Sequence, residues 1–563
     1  MLGTSLSAMR STHVSLPLRL PRIGYASRRY SVRVLGDSAA KPAVQNVADL
    51  KAWPLESGQD CLVEINGWVR NIRKASAVRF VEVSDGSSYS TVQAVVSKEM
   101  AEEIRLGAAV RLKGLWKLQS PPQVFSPPPE EPAPTPDEKP SRLPQIKFID
   151  PAPDAREERP KITVPVGELQ VDEVQILGAS DPDTYPIQRK YTSPETLRNW
   201  PHLRMRTNLN STLLRLRSDT IGSLSKIFNQ ENFIQTHPPI ITSADCEGAG
   251  EAFKVIGGTR ESPFFDSPKF LTVSSQLHLE AMAQAAGNVW TLSPSFRAER
   301  SDTNRHLSEF YMLEAEMSFV DDMDEVMDLV QRMTRSLVQD LAQQSSWKEL
   351  EHARRHPRGP AETRTLEDLD DIAVLERRWN GMLVPEKWPR ITYSEAINIL
   401  EEHIDKFERP PVWGQGLGSE HEKFLAELIG YDKERNAYVP VFVTHYPRDI
   451  KAFYMRESAA EHHIKGQIVV DCFDLIAPDI GELAGGSMRE HLLHKIITNL
   501  RHFSLEASAN DPRLKWYVDL RRWGCPPHGG FGIGFDRLLS YLTGVRSIRD
   551  LVAFPRLYGR TDC

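Results

Sequence analysis

Cysteine is scarce and badly placed for cross-linking. Cys61, Cys246, Cys472, Cys525 and Cys563 are scattered through 563 residues and form no CxxC pair, which argues against a disulfide framework and a zinc site. Also missing is any apolar stretch of the roughly 18 residues that a membrane-spanning helix needs, so no membrane partner is expected. An excess of positive charge is absent too. Net charge is −7, so contact with nucleic acid has to come from local basic patches rather than global attraction. What remains is ordinary for a globular protein: 40% hydrophobic and 26% charged residues, in a length that fits two or three domains.

One further absence is local. Residues 1–36 hold no Asp or Glu, yet carry Arg10, Arg19, Arg22, Arg28, Arg29 and Arg33 among Ser, Leu and small residues. That composition is expected of a mitochondrial transit peptide, cleaved after Tyr30 on the way to the matrix. Pro17, Arg19, Pro21 and Arg22 break the apolar core that a secretory signal would need.

From 55 to 180 the pattern is one of short alternating strands. Val63-Glu64-Ile65-Asn66-Gly67-Trp68-Val69-Arg70, Phe80-Val81-Glu82-Val83 and Val92-Gln93-Ala94-Val95-Val96 predict a small barrel of the OB type. A proline-rich stretch at 120–160 interrupts it and cannot build a core, so it reads as an extended insertion. Residues 181–203 read as a hinge. The remainder, 204–563, mixes helices and strands. Helices are expected over Ser211–Gln230 and Asp321–Gln344, followed by a charged helical insert near 340–390 that reads as a solvated face. The fold class is therefore α+β.

The sharpest constellation runs from Phe296-Arg297-Ala298-Glu299-Arg300 through Asn304-Arg305-His306 to Glu309-Phe310-Tyr311-Met312-Leu313-Glu314-Ala315-Glu316. It reads as strand, polar loop, strand. Period-two geometry puts Phe310, Met312, Glu314 and Glu316 on one face, and acids beside an aromatic are poor core design. Arg297, Arg305 and His306 supply donors suited to a polyphosphate. A second stretch, Gly529-Gly530-Phe531-Gly532-Ile533-Gly534-Phe535-Asp536-Arg537, is a glycine-rich strand feeding a helix, where missing side chains admit a nucleotide.

These stretches resemble motifs 2 and 3 of class II aminoacyl-tRNA synthetases, in the form shared by the aspartate, asparagine and lysine enzymes. The resemblance implies an N-terminal OB-fold anticodon domain and a catalytic domain built on an antiparallel sheet flanked by helices. It also implies ATP as a substrate. Arg297 maps to the contact with the α-phosphate, Arg305 and His306 to the outer phosphates, Phe310 to the adenine stack and Arg537 to the γ-phosphate. Glu299, Gly532 and Gly534 complete the implied ATP site. Motif 1 maps to Asn232-Phe233-Ile234 and Pro238-Pro239-Ile240-Ile241, and implies a homodimer.

Other stretches look like the asparagine branch of that family. Asp245-Cys246-Glu247-Gly248-Ala249-Gly250-Glu251-Ala252-Phe253 resembles its substrate loop, which implies that Glu247 and Gln276 meet the α-ammonium group. Ser419-Glu420-His421-Glu422 and Lys451-Ala452-Phe453-Tyr454-Met455 also look like that branch, with no role assigned to them. Leu279 stands where the aspartate branch carries a lysine for the substrate's carboxylate. A neutral carboxamide tolerates that loss but needs an acceptor for its NH2, and either Glu314 or Glu316 fits. The run Gly481-Glu482-Leu483-Ala484-Gly485-Gly486-Ser487-Met488-Arg489-Glu490 implies Arg489 on the side-chain oxygen and Glu482, helped by Asp474, on Mg²⁺. The implied reaction is attack of the asparagine carboxylate on the α-phosphate, then transfer to the 3′ end of tRNA(Asn). No Ser-His-Asp or Cys-His arrangement is needed. In the barrel, Phe80 and Gln93 match positions that stack on and read anticodon bases, beside the basic Arg70 and Arg73; Phe80 fits barrel core equally well.

Overall fold

Alternating valines close the N-terminal barrel. The computed structural model describes residues 43–51, 61–118, 167–243, 252–258, 264–301, 303–462, 466–503 and 512–561. The expected transit peptide, the proline-rich insertion and Glu247 lie outside them. Strands β1 (Cys61–Lys74), β2 (Val78–Ser84), β3 (Val92–Ser97), β4 (Ala109–Leu118) and β5 (Gly167–Gly178) pair in the order β1-β2-β3-β5-β4, and β4 returns to β1. Their inward residues, among them Val63, Ile65, Val81, Val83, Ala94, Val96, Leu112 and Leu169, form one apolar core. Closure pairs the edge strands that would otherwise expose a ladder of unpaired backbone groups.

The second domain is organised by a larger sheet. Its strands are β6 (Ile234–Gln235), β7 (Val289–Phe296), β8 (Glu309–Ser318), β9 (Arg390–Thr392), β10 (Val441–Thr444), β11 (Cys472–Ala477), β12 (Gly481–Met488) and β13 (His528–Gly534). They run in the order β9-β10-β11-β12-β13-β8-β7-β6, antiparallel except for the outer pairs β9–β10 and β6–β7. Helices α1 (Asn208–Gln230), α2 (Gln276–Ala286) and α3 (Met323–Leu341) follow from periodic apolar faces, with side-chain caps on α1 and α3. Thr207 accepts from the Asn210 amide at 3.3 Å and Asp322 from the Asp324 amide at 2.9 Å. On β8 and β13, Leu313, Ala315, Phe531 and Ile533 share a core with Val326, Val330 and Met333 of α3. The opposite face of the same strands carries the acids and glycines of the cleft.

One expectation needs correction. The charged insert forms α4 (Ser345–Arg355), α5 (Pro360–Glu367) and α6 (Ile372–Leu383), and its inner side is core, not a solvated face. Trp347, Leu350, Leu366, Leu375, Trp379 and Met382 join the main cluster, with Trp347 and Trp379 stacked at 3.9 Å. Composition reported only its outer side. In and just after the stretch read as a hinge lie two short helices, Pro194–Leu197 and Pro201–Arg204, each begun by a proline at the position that lacks an amide partner anyway.

Candidate active site

The antiparallel pairing of β8 with β13 sets Glu314 opposite Gly532 and Glu316 opposite Gly530. A Cβ on Gly530 would overlap the Glu316 carboxylate and the Ala315 carbonyl, so this glycine is what lets an acid lie across the strand. Over this face opens a cavity of about 610 Å³, lined in part by Ser274, Gln276, Arg297, Glu314, Tyr454 and Arg489. A smaller one of about 110 Å³ shares Arg297, Met312, Glu482 and Gly532 with it and reaches Phe310, His306 and Arg537. The two form one cleft with distinct ends.

At the first end, charges are buried and paired. Arg489 lies 3.1 Å from Glu316, with side-chain exposures of 3% and 0%. Gln276 ties the pair together: its Nε2 donates to Glu316 at 3.0 Å and its Oε1 accepts from Arg489 at 2.6 Å. Burial works against the Arg489 cation, but Glu316 outweighs it and the guanidinium stays charged. Glu314, also buried, accepts from the Ser274 hydroxyl at 2.5 Å and from the Ser275 amide at 3.0 Å. Burial raises its pKa, opposed by those donors. The Ser275 hydroxyl meets that of Ser293, 2.9 Å away, and makes no side-chain cap on α2.

A second layer supports the first. Glu280, one turn after Gln276 on α2, accepts from Gln276 at 3.1 Å, from the Tyr517 hydroxyl at 2.8 Å and from Arg521 at 2.5 Å. His528 Nε2 stands 3.1 Å from Glu280. Burial disfavours the imidazolium, but hydrogen bonds with Cys525 and Glu280 prevail and push its pKa up to about 10. Glu280, Glu316 and His528 also bring ligand atoms within 4.8 Å of one another. Arg489 and Arg521 already balance both carboxylates, which makes the group an ion-pair core. Leu279 does not line the cleft: it is fully buried with Ala283 and Val289 in an apolar cluster.

The second end is more open. Arg297 sits at the end of β7 with its guanidinium 5.6 Å from the Phe310 ring. Phe310 is half-buried and lines the smaller cavity. His306 Nε2 faces Glu299 at 3.3 Å, and its Nδ1 meets the Ser301 hydroxyl at 3.1 Å. Burial, then the charges of Arg537, Arg305 and Arg297, hold its pKa below the usual value in spite of Glu299. Arg305 crosses the cleft to bond the Ser419 hydroxyl and the Ile480 carbonyl. Arg537, in the first turn of α8 (Phe535–Thr543), donates to the Glu482 carbonyl at 3.2 Å, and Gly534 caps that helix.

Facing these cations is an acidic group. A Cβ on Gly485 would lie 3.4 Å from Glu482 Oε1 and 3.5 Å from Asp474 Oδ1, so the two carboxylates converge over a bare backbone. Sequence reading missed the part played by two members here. Lys451 Nζ bonds both oxygens of Asp474, at 2.8 and 2.7 Å, and lies 3.9 Å from the Tyr446 ring. Glu422, on α7 (Ser419–Gly430), accepts from the Glu482 amide at 3.0 Å. Burial and then the neighbouring Glu482 push its pKa up to about 7. Gly481, at φ +74°, makes the turn that brings the Glu482 amide to it. Both residues stand in stretches that resemble the asparagine branch, but no local pattern marks their partners.

On the barrel, Arg73 lies 5.4 Å from the Phe80 ring and bonds Gln93. Phe80 is half-exposed and outside the barrel core. Arg70 stands apart from this group; a bulge between Val69 and Asn71 turns it toward Tyr185 and Arg206 of the hinge region.

Comparison with known proteins agrees with both domains. Residues 193–558 match the family described as tRNA synthetases class II (D, K and N), and residues 63–124 match the OB-fold nucleic acid binding domain. The mitochondrial asparagine–tRNA ligases of Schizosaccharomyces pombe and Saccharomyces cerevisiae are 36% and 37% identical to the chain. Each alignment covers 88% of this chain, with 94% and 92% of the relative. The crystal structure of asparaginyl-tRNA synthetase from Pyrococcus horikoshii complexed with asparaginyl-adenylate superposes with a TM-score of 0.70. It is 27% identical and covers 92% of this chain and 98% of that one. The chain belongs to the class II tRNA synthetases of the D, K and N group.

Proposed function

We propose that this protein is an asparagine–tRNA ligase of the mitochondrial matrix, which activates asparagine with ATP and charges tRNA(Asn). The observation that carries the amino-acid choice is the Arg489–Glu316 pair. Its cation is already balanced by a buried partner. A substrate carboxylate would add an unbalanced charge there, at a cost of several kcal/mol. A carboxamide brings none. Its oxygen accepts from Arg489, and its NH2 donates to Glu314, which lines the cavity while Glu316 is spent on Arg489 and Gln276. The names of the yeast relatives and of the adenylate-bound structure support the same choice, and the acid-free basic segment at 1–36 supports the compartment.

In the first step a carboxylate oxygen of asparagine attacks the α-phosphorus of ATP, and the bond to the bridging oxygen of pyrophosphate breaks. Arg297 stands where both cavities meet and neutralises charge developing on the α-phosphate. Phe310 stacks on the adenine, Gly532 and Gly534 leave room for the nucleotide, and Arg305, His306 and Arg537 take the outer phosphates. Glu299 orients His306. Gln276 and Glu247 hold the α-ammonium group. In the second step the 3′ hydroxyl of the tRNA attacks the acyl carbon and AMP leaves. The protein positions reactants and offers no nucleophile.

The donor set fits Mg²⁺. Glu482 and Asp474 present oxygens over Gly485, and beside them the pKa of Glu422 is pushed up to about 7, by burial first and then by Glu482 and Asp474. A bound Mg²⁺ supplies countercharge and neutralises phosphate oxygens. A homodimer through motif 1 is supported by Ile234, Ile240 and Ile241, exposed by 53%, 39% and 45%. Phe80, Gln93 and Arg73, with Arg70 nearer the hinge, form the surface for anticodon bases.

The test is exchange of pyrophosphate into ATP by the chain starting at Ser31, with asparagine and aspartate assayed separately. Exchange with asparagine alone is expected. Exchange with aspartate alone overturns the substrate, and no exchange from a folded protein overturns the activity.

A further inference from the structure

The hinge and the loop that carries Arg305 and His306 meet at one short stretch near the C-terminus, residues 547–556. On the hinge side, Asp550 accepts a two-pronged pair from Arg198, at 2.8 Å and 2.5 Å, and a third bond from Arg204 at 3.2 Å. Arg198 and Asp550 are only 13% and 14% exposed, and Arg204 only 1%. Arg204 also donates to the Arg549 carbonyl at 2.8 Å. On the loop side, the Arg549 guanidinium donates to the Thr303 carbonyl at 2.8 Å and the Ile548 amide to the Asn304 carbonyl at 3.2 Å. The Ser308 amide donates to the Arg556 carbonyl at 2.8 Å. These attachments bracket Arg305 and His306 on both sides. A cavity of about 300 Å³ lies at the same joint, lined by Gln188, Lys190, Arg198, Asn304, Arg546 and Asp550.

We propose that Asp550 is a positioning residue for the ATP loop, a joint through which the hinge sets where Arg305 and His306 stand. A two-pronged arginine–carboxylate pair fixes direction as well as distance, and this one is shielded from solvent. The link runs through contiguous bonds from Arg198 to Asp550, along the backbone to Arg549, and on to Thr303. Its bonds to Thr303, Asn304 and Ser308 flank the proposed phosphate contacts, so the joint is expected to act on the nucleotide rather than on the amino acid. A shift of the hinge, of the kind that tRNA on the barrel would impose, thereby reaches the phosphate contacts. This rests on the proposed reading of the second cavity as the ATP site.

The experiment compares the wild-type chain with Asp550→Asn and with the milder Arg198→Lys, which keeps the charge but loses the fork. Two readouts are taken: amide hydrogen exchange over 303–308, and the KM for ATP and for asparagine in pyrophosphate exchange. Expected are exchange faster by about tenfold in that loop and a KM for ATP raised about fivefold, since an ångström of misplacement is enough to weaken phosphate contacts. The KM for asparagine should not move. A merely structural role would lower the active fraction and leave both KM values as they were, which overturns the proposal. Unchanged loop protection also overturns it, and that readout holds even if the wild-type chain activates no amino acid, a result that would instead sink the proposed function.

Discussion

Arg489 and Glu316, at the amino-acid end of the cleft, are 3% and 0% exposed and 3.1 Å apart; Arg537 and Glu482, at the nucleotide end, are 29% and 44% exposed and 3.9 Å apart. The first pair belongs to a network in which Gln276, Glu280, Arg521 and His528 complete one another's bonds. The second belongs to the start of β12 and the first turn of α8, with side chains that stay partly in solvent. The contrast reflects what each end has to recognise. A small neutral side chain offers one acceptor and two donors, so its site has to be rigid and balanced beforehand. A triphosphate offers charge in plenty, and half-hydrated cations suffice to gather it.

The largest effect is expected where that balance is broken. Glu316→Ala strands the Arg489 cation in a dry site, and such a loss costs about 3–5 kcal/mol. Denaturant unfolding should show it, together with loss of exchange activity; stability unchanged within error would mean that this end holds more water than its burial implies. Arg297→Ala is the counterpart at the other end. It should lower kcat for exchange about 10²–10³-fold, while unfolding moves by less than about 1 kcal/mol because the side chain is half-exposed. Equal losses of stability from the two substitutions would erase the distinction between the ends.

Proton linkage sharpens it further. His528 has its pKa raised from 6.5 to about 10 in the folded chain. A raised histidine contributes stability that is full below the unfolded value and is lost as pH rises through the folded one. Between pH 7 and 10 the wild-type chain should therefore lose stability, by up to about 1.4 kcal/mol for each step of one in pH. The loss should be smaller in His528→Gln, measured by unfolding at each pH; parallel curves would contradict the buried imidazolium. The smallest effect is one of salt. Raising ionic strength screens exposed charges more than buried ones, so the KM for ATP should rise about threefold while that for asparagine holds.

Much of this is legible in the sequence, for identifiable reasons. Alternation sets the faces of β8: Glu314 and Glu316 stand against Leu313 and Ala315, as the period of two requires. Glycines at 530 and 532 read as room for a ligand, and Gly530 in fact makes room for Glu316. Pairings across long separations are not legible. Arg489 and Glu316 are 173 residues apart, and Lys451 reaches Asp474 from a loop with no period of its own. The resemblance sets Leu279 where a neighbouring branch meets the substrate's side chain, whereas the structure buries it with Ala283 and Val289 in an apolar cluster. Sequence reports which residues are costly to bury; only the fold says which of them meet.

The most direct measurement of the central claim is the ratio of kcat/KM for asparagine to that for aspartate in Glu314→Gln, against the wild-type ratio and with melting temperature as a control. Glu314 lines the cavity beside an arginine already balanced by Glu316, and the proposed function makes it the acceptor for the carboxamide NH2. Expected is a fall in kcat/KM for asparagine of about 10²-fold, the scale of a lost charged hydrogen bond, while that for aspartate holds or rises. A parallel fall for both amino acids would contradict it, leaving Glu314 as a support for Ser274 and Ser275 and the choice of substrate without its physical cause.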